Sequence, residues 1–526
     1  MQRKKLNIWL PFLFALSMIG GLFLGYKMRD AFPTRHFFAL EKSQPVQEVI
    51  DLIREKYVDD ISTAELMDTA ILSILSRLDP HSQYIPPSLL EAANDDIAGS
   101  FYGIGIEFDM IDDTLHVVQI IPDGPAAEAG LKNGDMILAA GDSVLSGRKK
   151  TAEDVRSVLK GNRGSAIRLQ VMRNNTRLPV EVKRDIVALN SVSAAYMMDD
   201  TTGFIHLDRF SQPTYREFMI ELEKLVESGM TQLVLDLRGN GGGIMDAAVE
   251  IADEFLSGDK LITYTEGAHK KKEEYRCRRN GMFEEGKLVV LADEGTASAS
   301  EILIGALQDW DRATIVGRRT FGKGLVQEQF NLSNRGALRL TVSRYYTPLG
   351  RSIQRAYATG NENYFSEVQN SGFHSDSAAV DTTGKKFKTA GGKTLYEGGG
   401  IAPDVWVASD TSSISYAMAY MYGNRLVNQF TYRYPTRFPA LFNIYKTPEA
   451  FRQQYSIDEN ALQYFNRQIL KDSMNTSTLT PSEMKFLMNS MKTGIARQLW
   501  RNEGYYRVQN AGDEAVLKAL DILRNL

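Results

Sequence analysis

Lys287-Leu288-Val289-Val290-Leu291-Ala292-Asp293-Glu294-Gly295-Thr296-Ala297-Ser298-Ala299-Ser300-Glu301 decides which fold the chain can adopt. An apolar run without polar alternation predicts a strand buried on both faces, as in layered α/β sheets. Small residues then turn the chain into a helix expected from about 297 to 308. A serine at such a strand-to-helix turn stands exposed at a helix N-terminus. Unpaired N–H groups and the helix dipole can hold a developing oxyanion there. Alone, a small serine-rich turn is more often a helix cap.

The flanking segments repeat the alternation. Residues 203–210 and 233–237 read as strands, 214–227 and 243–255 as helices, and 313–316, 325–330 and 338–344 as further strands. This predicts a layered α/β core over 190–356. Two of its turns carry possible chemistry. In Thr320-Phe321-Gly322-Lys323-Gly324-Leu325-Val326-Gln327, the lysine sits between two glycines that permit close backbone approach. A lysine deprotonates a serine only when neutral, which requires a desolvated site. Gln327 can hold that amine without the charge that would raise its pKa. Taken singly, Gly-Lys-Gly is a common surface turn. Asp236-Leu237-Arg238-Gly239-Asn240-Gly241-Gly242-Gly243 is a glycine-rich turn of the kind that brings main-chain N–H groups to an anion. It fits no nucleotide-phosphate motif.

The remaining chain divides by texture. Residues 1–30 hold a short basic stub and an uncharged run, 40–95 have helical spacing, and 98–186 read as a small, mostly β module of short strands and glycine turns. Thr151 is expected to cap a helix through about Lys160. Residues 357–405 begin as a polar insert and end in a final core segment, and 406–526 read as a separate α-rich, aromatic-rich domain. The length of 526 residues suits several domains, and 43% apolar residues suit a globular chain. A net charge of −4 without a dense basic stretch excludes a nucleic-acid partner.

Cys277 is the single cysteine, so no internal disulfide forms. Arginines at 276, 278 and 279 favour a thiolate, but no base lies nearby in a motif, and the segment reads as a polar hairpin. Arg3, Lys4 and Lys5 precede the uncharged run from residue 6 to 26, long enough for a hydrocarbon core of about 30 Å. An uncleaved anchor in the inner (cytoplasmic) membrane is preferred to a cleaved signal peptide. The body is then exported, to the periplasm or outside the cell. No His, Asp or Glu spacing suggests a metal, and no cofactor is expected.

Together, the three core segments resemble the C-terminal processing peptidases, or tail-specific proteases, which use a Ser/Lys dyad. Ser298 and Lys323 lie 25 residues apart, and Gln327 follows four later. The resemblance extends over about two thirds of the chain. It includes Asp79-Pro80-His81-Ser82, Gly103-Ile104-Gly105-Ile106, Pro125-Ala126-Ala127-Glu128-Ala129-Gly130-Leu131, Gly350-Arg351-Ser352-Ile353-Gln354 and Gly400-Ile401-Ala402-Pro403-Asp404. It implies a crotonase/ClpP-like α/β protease core with an inserted PDZ domain. Ser298 would be the nucleophile, Lys323 the general base and Gln327 its positioner. Gly242 and Ala299 would supply the oxyanion-hole amides. Ser300 is the competing nucleophile, and none of the six histidines is placed by sequence to complete a Ser-His-Asp triad.

The 98–186 module resembles a PDZ domain, which takes a peptide as an added strand and holds its carboxylate on backbone amides. Tyr102, Gly103, Ile104, Gly105 and Ile106 form the matching loop, and its isoleucines suggest apolar C-terminal tails on the protein substrates. The partners implied are these substrates, the membrane through residues 6–26, and a homo-oligomer or regulatory adaptor. The function implied is a serine endopeptidase that cuts near the C-termini of exported proteins. The rivals are a non-catalytic PDZ adaptor or holdase, and a CoA enzyme on the same core. Lys323→Arg separates charge from basicity, because arginine cannot give up its proton. It is expected to be inactive, losing about 10²–10⁴-fold in kcat/KM for a tail-bearing substrate.

Overall fold

Leu288, Val289, Val290, Leu291 and Ala292 are all buried in the strand Lys287–Ala292, which lies within a six-stranded sheet. The order is Val192–Met197, Thr202–Leu207, Gln232–Asp236, Lys287–Ala292, Thr314–Gly317 and Val405–Trp406. Only the first pair is antiparallel. The parallel pairs require crossovers, and the helices Thr214–Glu227, Met245–Asp253 and Ala299–Asp309 lie in them. Their apolar stripes, including Phe218, Leu222, Ile251, Leu303 and Leu307, pack against Leu235, Val290 and Ile315 of the sheet. The loops after three parallel strands meet at the carboxyl ends of the strands, where Ala297 N donates to Asn240 O and Phe321 N to Thr296 O, and where ligands of such sheets bind.

The computed structural model describes residues 45–357, 364–365, 384–408, 415–472 and 474–525, with residues 9, 11–12 and 14–23. Much of the polar insert therefore lies outside the described residues. So does part of the uncharged run 6–26, whose residues 9, 11–12 and 14–23 are helical. Among the described residues no helix is long and apolar enough to cross a membrane, so the expected span is not supported by the structure. The chain forms two compact units, residues 1–73 and 74–526. In the first unit, a helix spans Pro45–Lys56 and a second begins at Thr63.

Within 74–526, a second sheet pairs Gln83–Ile85 and Leu261–Glu266 with Ala337–Tyr346, and Glu273–Arg276 with Leu261–Glu266. Leu325–Asn331 also pairs with Ala337–Tyr346, with a bulge between Val326 and Gln327. The strands Gln83–Ile85, Val192–Met197, Leu261–Glu266 and Val405–Trp406 are additions to those expected from the sequence. These strands are short or carry no sustained apolar pattern, and their neighbours stabilise them.

The module after residue 100 builds its sheet from Ile106–Ile111, Thr114–Ile120, Met136–Ala140, Ala166–Arg173 and Thr176–Lys183. Leu115, Val117, Ile137, Val155 and Leu169 fill its core. Thr151 and Asp154 cap the helix Ala152–Leu159 reciprocally.

The C-terminal region differs from the expectation of a separate domain. Its helices enclose their own core around Phe430, Phe451, Phe465 and Met491. The last helix, Glu514–Asn525, instead packs Val516, Ala519 and Leu523 on Phe204, Val234, Val289 and Leu291. The physical reason is that central strands with apolar residues on both faces need cover on both. Arg351, 1% exposed, pairs with Asp309 at 2.5 Å at the end of the helix Ala299–Asp309. Arg351→Ala strands that carboxylate in the core and is expected to cost about 3–5 kcal/mol, read as a lower urea midpoint.

Candidate active site

The turn from Lys287–Ala292 into Ala299–Asp309 forces Ser298 to φ +58°, ψ −116°, a conformation costly for any residue with a Cβ. Four hydrogen bonds hold it there. Thr296 Oγ1 donates to Leu237 O at 2.9 Å, and Ala297 N donates to Asn240 O at 3.0 Å. Ser300 Oγ also donates to Asn240 O at 3.0 Å, and Ser298 N donates to Glu301 Oε2 at 2.9 Å. Ala299 and Ser300 are thereby buried, while Ser298 remains partly accessible. Ser300, the competing nucleophile, points inward and is committed to a carbonyl.

Lys323 reaches the same cleft, a cavity of about 470 Å³ that Ser298, Ala299, Gln327 and Arg339 also line. Its Nζ donates to Gln327 Oε1 at 2.9 Å. Gln327 is re-aimed by the bulge at 326–327, and its amide donates to His81 O. Burial pushes the Lys323 amine below the usual 10.5, Arg339 adds to the effect, and Glu301 and Asp79 oppose it. The Tyr345 hydroxyl donates to Lys323 O at 2.6 Å and lies 3.1 Å from Ser298 O, tying the two backbones together.

Glu301 is the residue whose role sequence reasoning missed. It is 0% exposed and accepts from Ser298 N and Lys323 N at 2.9 Å, Gly322 N at 2.8 Å and Thr320 Oγ1 at 2.5 Å. Burial pushes its carboxyl up to about 7, against the pull of these donors. Its signal was present in the sequence: Ser-x-x-Glu is the spacing of a capping box. Arg339 and Tyr345 carried no such signal, because they come from a strand that only folding brings to the cleft.

The glycine loop lies against the serine. Gly242 has φ +93°, and a Cβ there would meet Ala297 O at 2.6 Å and Ser298 Cβ and Ala299 N at 2.8 Å. The Ala299 N–H has no protein acceptor among the described residues. One particular departs from expectation: the Gly242 N–H donates to Asn240 Oδ1 at 2.9 Å. Ordering the turn takes up that amide, whereas the expected oxyanion-hole role needs it unpaired. At the base of the loop, Arg238 forks onto Asp236 at 2.7 and 2.9 Å and reaches Asp513 at 2.8 Å.

Two histidines are accounted for. Burial and the nearby Lys323 lower His81 to about 4, so it is neutral, and its ring meets the Tyr364 hydroxyl at 3.0 Å. Burial disfavours a charged His206, but Asp208 and Asp236 overcome it and raise the ring to about 9. It is charged at neutral pH and cannot act as a base. Burial, with Asp253, pushes the Cys277 thiol up to about 12, which leaves it inert. Among the described residues, no three His, Cys, Asp or Glu side chains converge as metal ligands.

Gly103, Ile104, Gly105 and Ile106 line a groove of about 240 Å³ with Phe108 and Leu159. Tyr102, expected in this loop, is 45% exposed and lies outside the groove lining. Pairing with Ile186 in an outer two-stranded ribbon places it there.

A strained serine with a desolvated lysine in one cleft suits acyl transfer, and the adjoining groove suits an extended peptide. These features define the class of serine peptidases with a peptide-binding module. The peptidase family S41 profile matches residues 201–364, and the PDZ domain profile matches 103–183. Relatives include the carboxy-terminal-processing protease of Bartonella bacilliformis, 34% identical over 58% of this chain and 71% of the relative. The carboxyl-terminal-processing protease of a Synechocystis species is 34% identical over 58% of this chain and 72% of its own. A solved photosystem II D1 C-terminal processing protease is 26% identical, with TM-score 0.36, over 71% of this chain and 87% of that one. The chain belongs to the carboxyl-terminal-processing proteases of peptidase family S41.

With the Lys323 amine lowered by burial, activity is expected to rise with pH through a midpoint below 10.5, read from a kcat/KM profile. Arg339→Met removes a positive charge that favours the neutral amine. Its kcat/KM profile is expected to shift to higher pH, and an unmoved midpoint would show that Arg339 does not act on Lys323.

Proposed function

We propose that Ser298 is the nucleophile and Lys323 the general base of a peptidase that trims protein C-termini. The observation that carries this reading is the Lys323 amine, below its ordinary pKa and held by a neutral amide in the cleft that Ser298 lines. Ser298 Oγ attacks the scissile carbonyl carbon as its proton passes to Lys323 Nζ. The oxyanion is held by the Ala299 N–H and an amide of the glycine loop. Collapse expels the C-terminal fragment as an amine, which takes the proton back from Lys323. Water, deprotonated by the same amine, then hydrolyses the acyl-enzyme on Ser298. Glu301 holds the serine turn and the lysine loop in register throughout.

The PDZ groove captures the substrate tail. Its Ile104, Ile106, Phe108 and Leu159 favour apolar ends. The helix Pro87–Ala98 carries Ala92 and Asp95 to the groove and Ile97 to the catalytic cleft, so capture and cutting share one structural element. The intact Ser298–Lys323–Gln327 set disfavours a non-catalytic adaptor. The basic stub and uncharged run support an exported body tethered through residues 6–26.

Mass spectrometry of the exported proteome, comparing wild type with Ser298→Ala, is expected to find C-termini left untrimmed in the variant. Identical C-termini would support the adaptor. The tether predicts that the full-length protein stays with membranes after alkaline carbonate extraction, whereas a chain lacking residues 1–30 is released.

A further inference from the structure

The PDZ groove is lined by an ion pair between its two flanking helical segments. Lys160 directly follows the helix Ala152–Leu159, and its Nζ lies 2.7 Å from Asp95 Oδ2 on the helix Pro87–Ala98. The two side chains are 29% and 19% exposed, and both line the groove beside Gly103, Ile104 and Gly105. The ammonium also sits 5.1 Å from the Phe101 ring centroid, so it keeps a seat if the carboxylate leaves. The other charged residues of the groove are engaged outward: Arg156 pairs with Glu153, and Asp96, 72% exposed, pairs with Arg209.

Among the described residues, the N–H groups of Ile104 and Gly105 donate to no protein acceptor. The groove thus presents amides without protein acceptors and an ammonium already paired with Asp95. An ammonium beside apolar walls is costly without a counter-charge, and Asp95 supplies one. A peptide's terminal carboxylate brings the same charge, and it can use the free amides as well. We propose that Asp95 is a built-in stand-in for the substrate's α-carboxylate. It holds Lys160 in the groove and yields it to a free chain end, so that Lys160 distinguishes a true C-terminus from an internal segment. This rests on tail capture by the PDZ groove. Because one carboxylate replaces another, the exchange is nearly balanced. Releasing a pair of this exposure is expected to change affinity by about two- to fivefold.

Fluorescence anisotropy tests the proposal on the full chain carrying Ser298→Ala, which prevents cleavage. The probe is a labelled decapeptide with an apolar last residue, prepared as the free acid and as the C-terminal amide. The free acid is expected to bind more tightly than the amide. Asp95→Asn and Asp95→Ala should each tighten the acid about two- to fivefold and leave the amide unchanged. Lys160→Gln should shrink the acid-to-amide ratio and abolish the gain from Asp95→Ala, with retained amide binding reporting an intact groove. The stand-in role is overturned if the Asp95 variants fail to tighten the acid, or if Lys160→Gln keeps the full ratio. In that case tail capture survives, with the backbone amides alone reading the carboxylate. If neither peptide binds the Ser298→Ala chain, the capture reading falls and the stand-in falls with it.

Discussion

One buried carboxylate holds the catalytic elements together. Glu301 accepts from the Ser298 amide and from the amides of Gly322 and Lys323, so two loops from different parts of the chain share its two oxygens. Burying a carboxylate is unfavourable unless its lone pairs are filled, and here they are. The cost appears as a carboxyl pushed up to about 7, and the return is a fixed relation between a strained serine and the lysine loop. Tyr345 adds a second tie through both carbonyls. The strain at Ser298 persists because the surrounding bonds leave the turn no alternative.

The site also depends on the two faces of the central sheet. Crossover helices cover one face, and the last helix of the chain covers the other. The C-terminal region therefore contributes its last helix to the packing of the central sheet, while its other helices keep a core of their own. It reaches the base of the glycine loop as well, where Asp513 completes the pairing of Arg238 that Asp236 begins. Burial alone would raise the Asp236 carboxyl, but Arg238 and His206 hold it well below the usual range. The same C-terminal region meets the PDZ sheet, where Arg497 pairs with Glu107 and Arg501 donates to Ile120 O.

The PDZ groove and the catalytic cleft are linked through the helix Pro87–Ala98, which contributes to both. Asn94 on this helix accepts from Gln329 at 3.0 Å, and Gln329 also lines the catalytic cleft. A tail seated in the groove thus lies beside an element that borders the cut site.

Local pattern made much of this legible. The helix Thr214–Glu227 and the strand Lys287–Ala292 have the bounds their periodicity implied. Ser298, Lys323 and Gln327 were marked by their glycine-rich turns and their spacing, because a turn's conformational demands are met by neighbouring residues. Arg339, Tyr345 and Asp513 were not legible, nor was the occupation of the Gly242 amide by Asn240. Each depends on a contact between segments far apart in sequence, which no local periodicity records. The sequence by itself determined which residues could perform the chemistry and which elements would carry them. The tertiary structure alone decided which charges surround the amine, which amides remain free, and what covers the second face of the sheet, because burial and electrostatics arise only when distant segments meet.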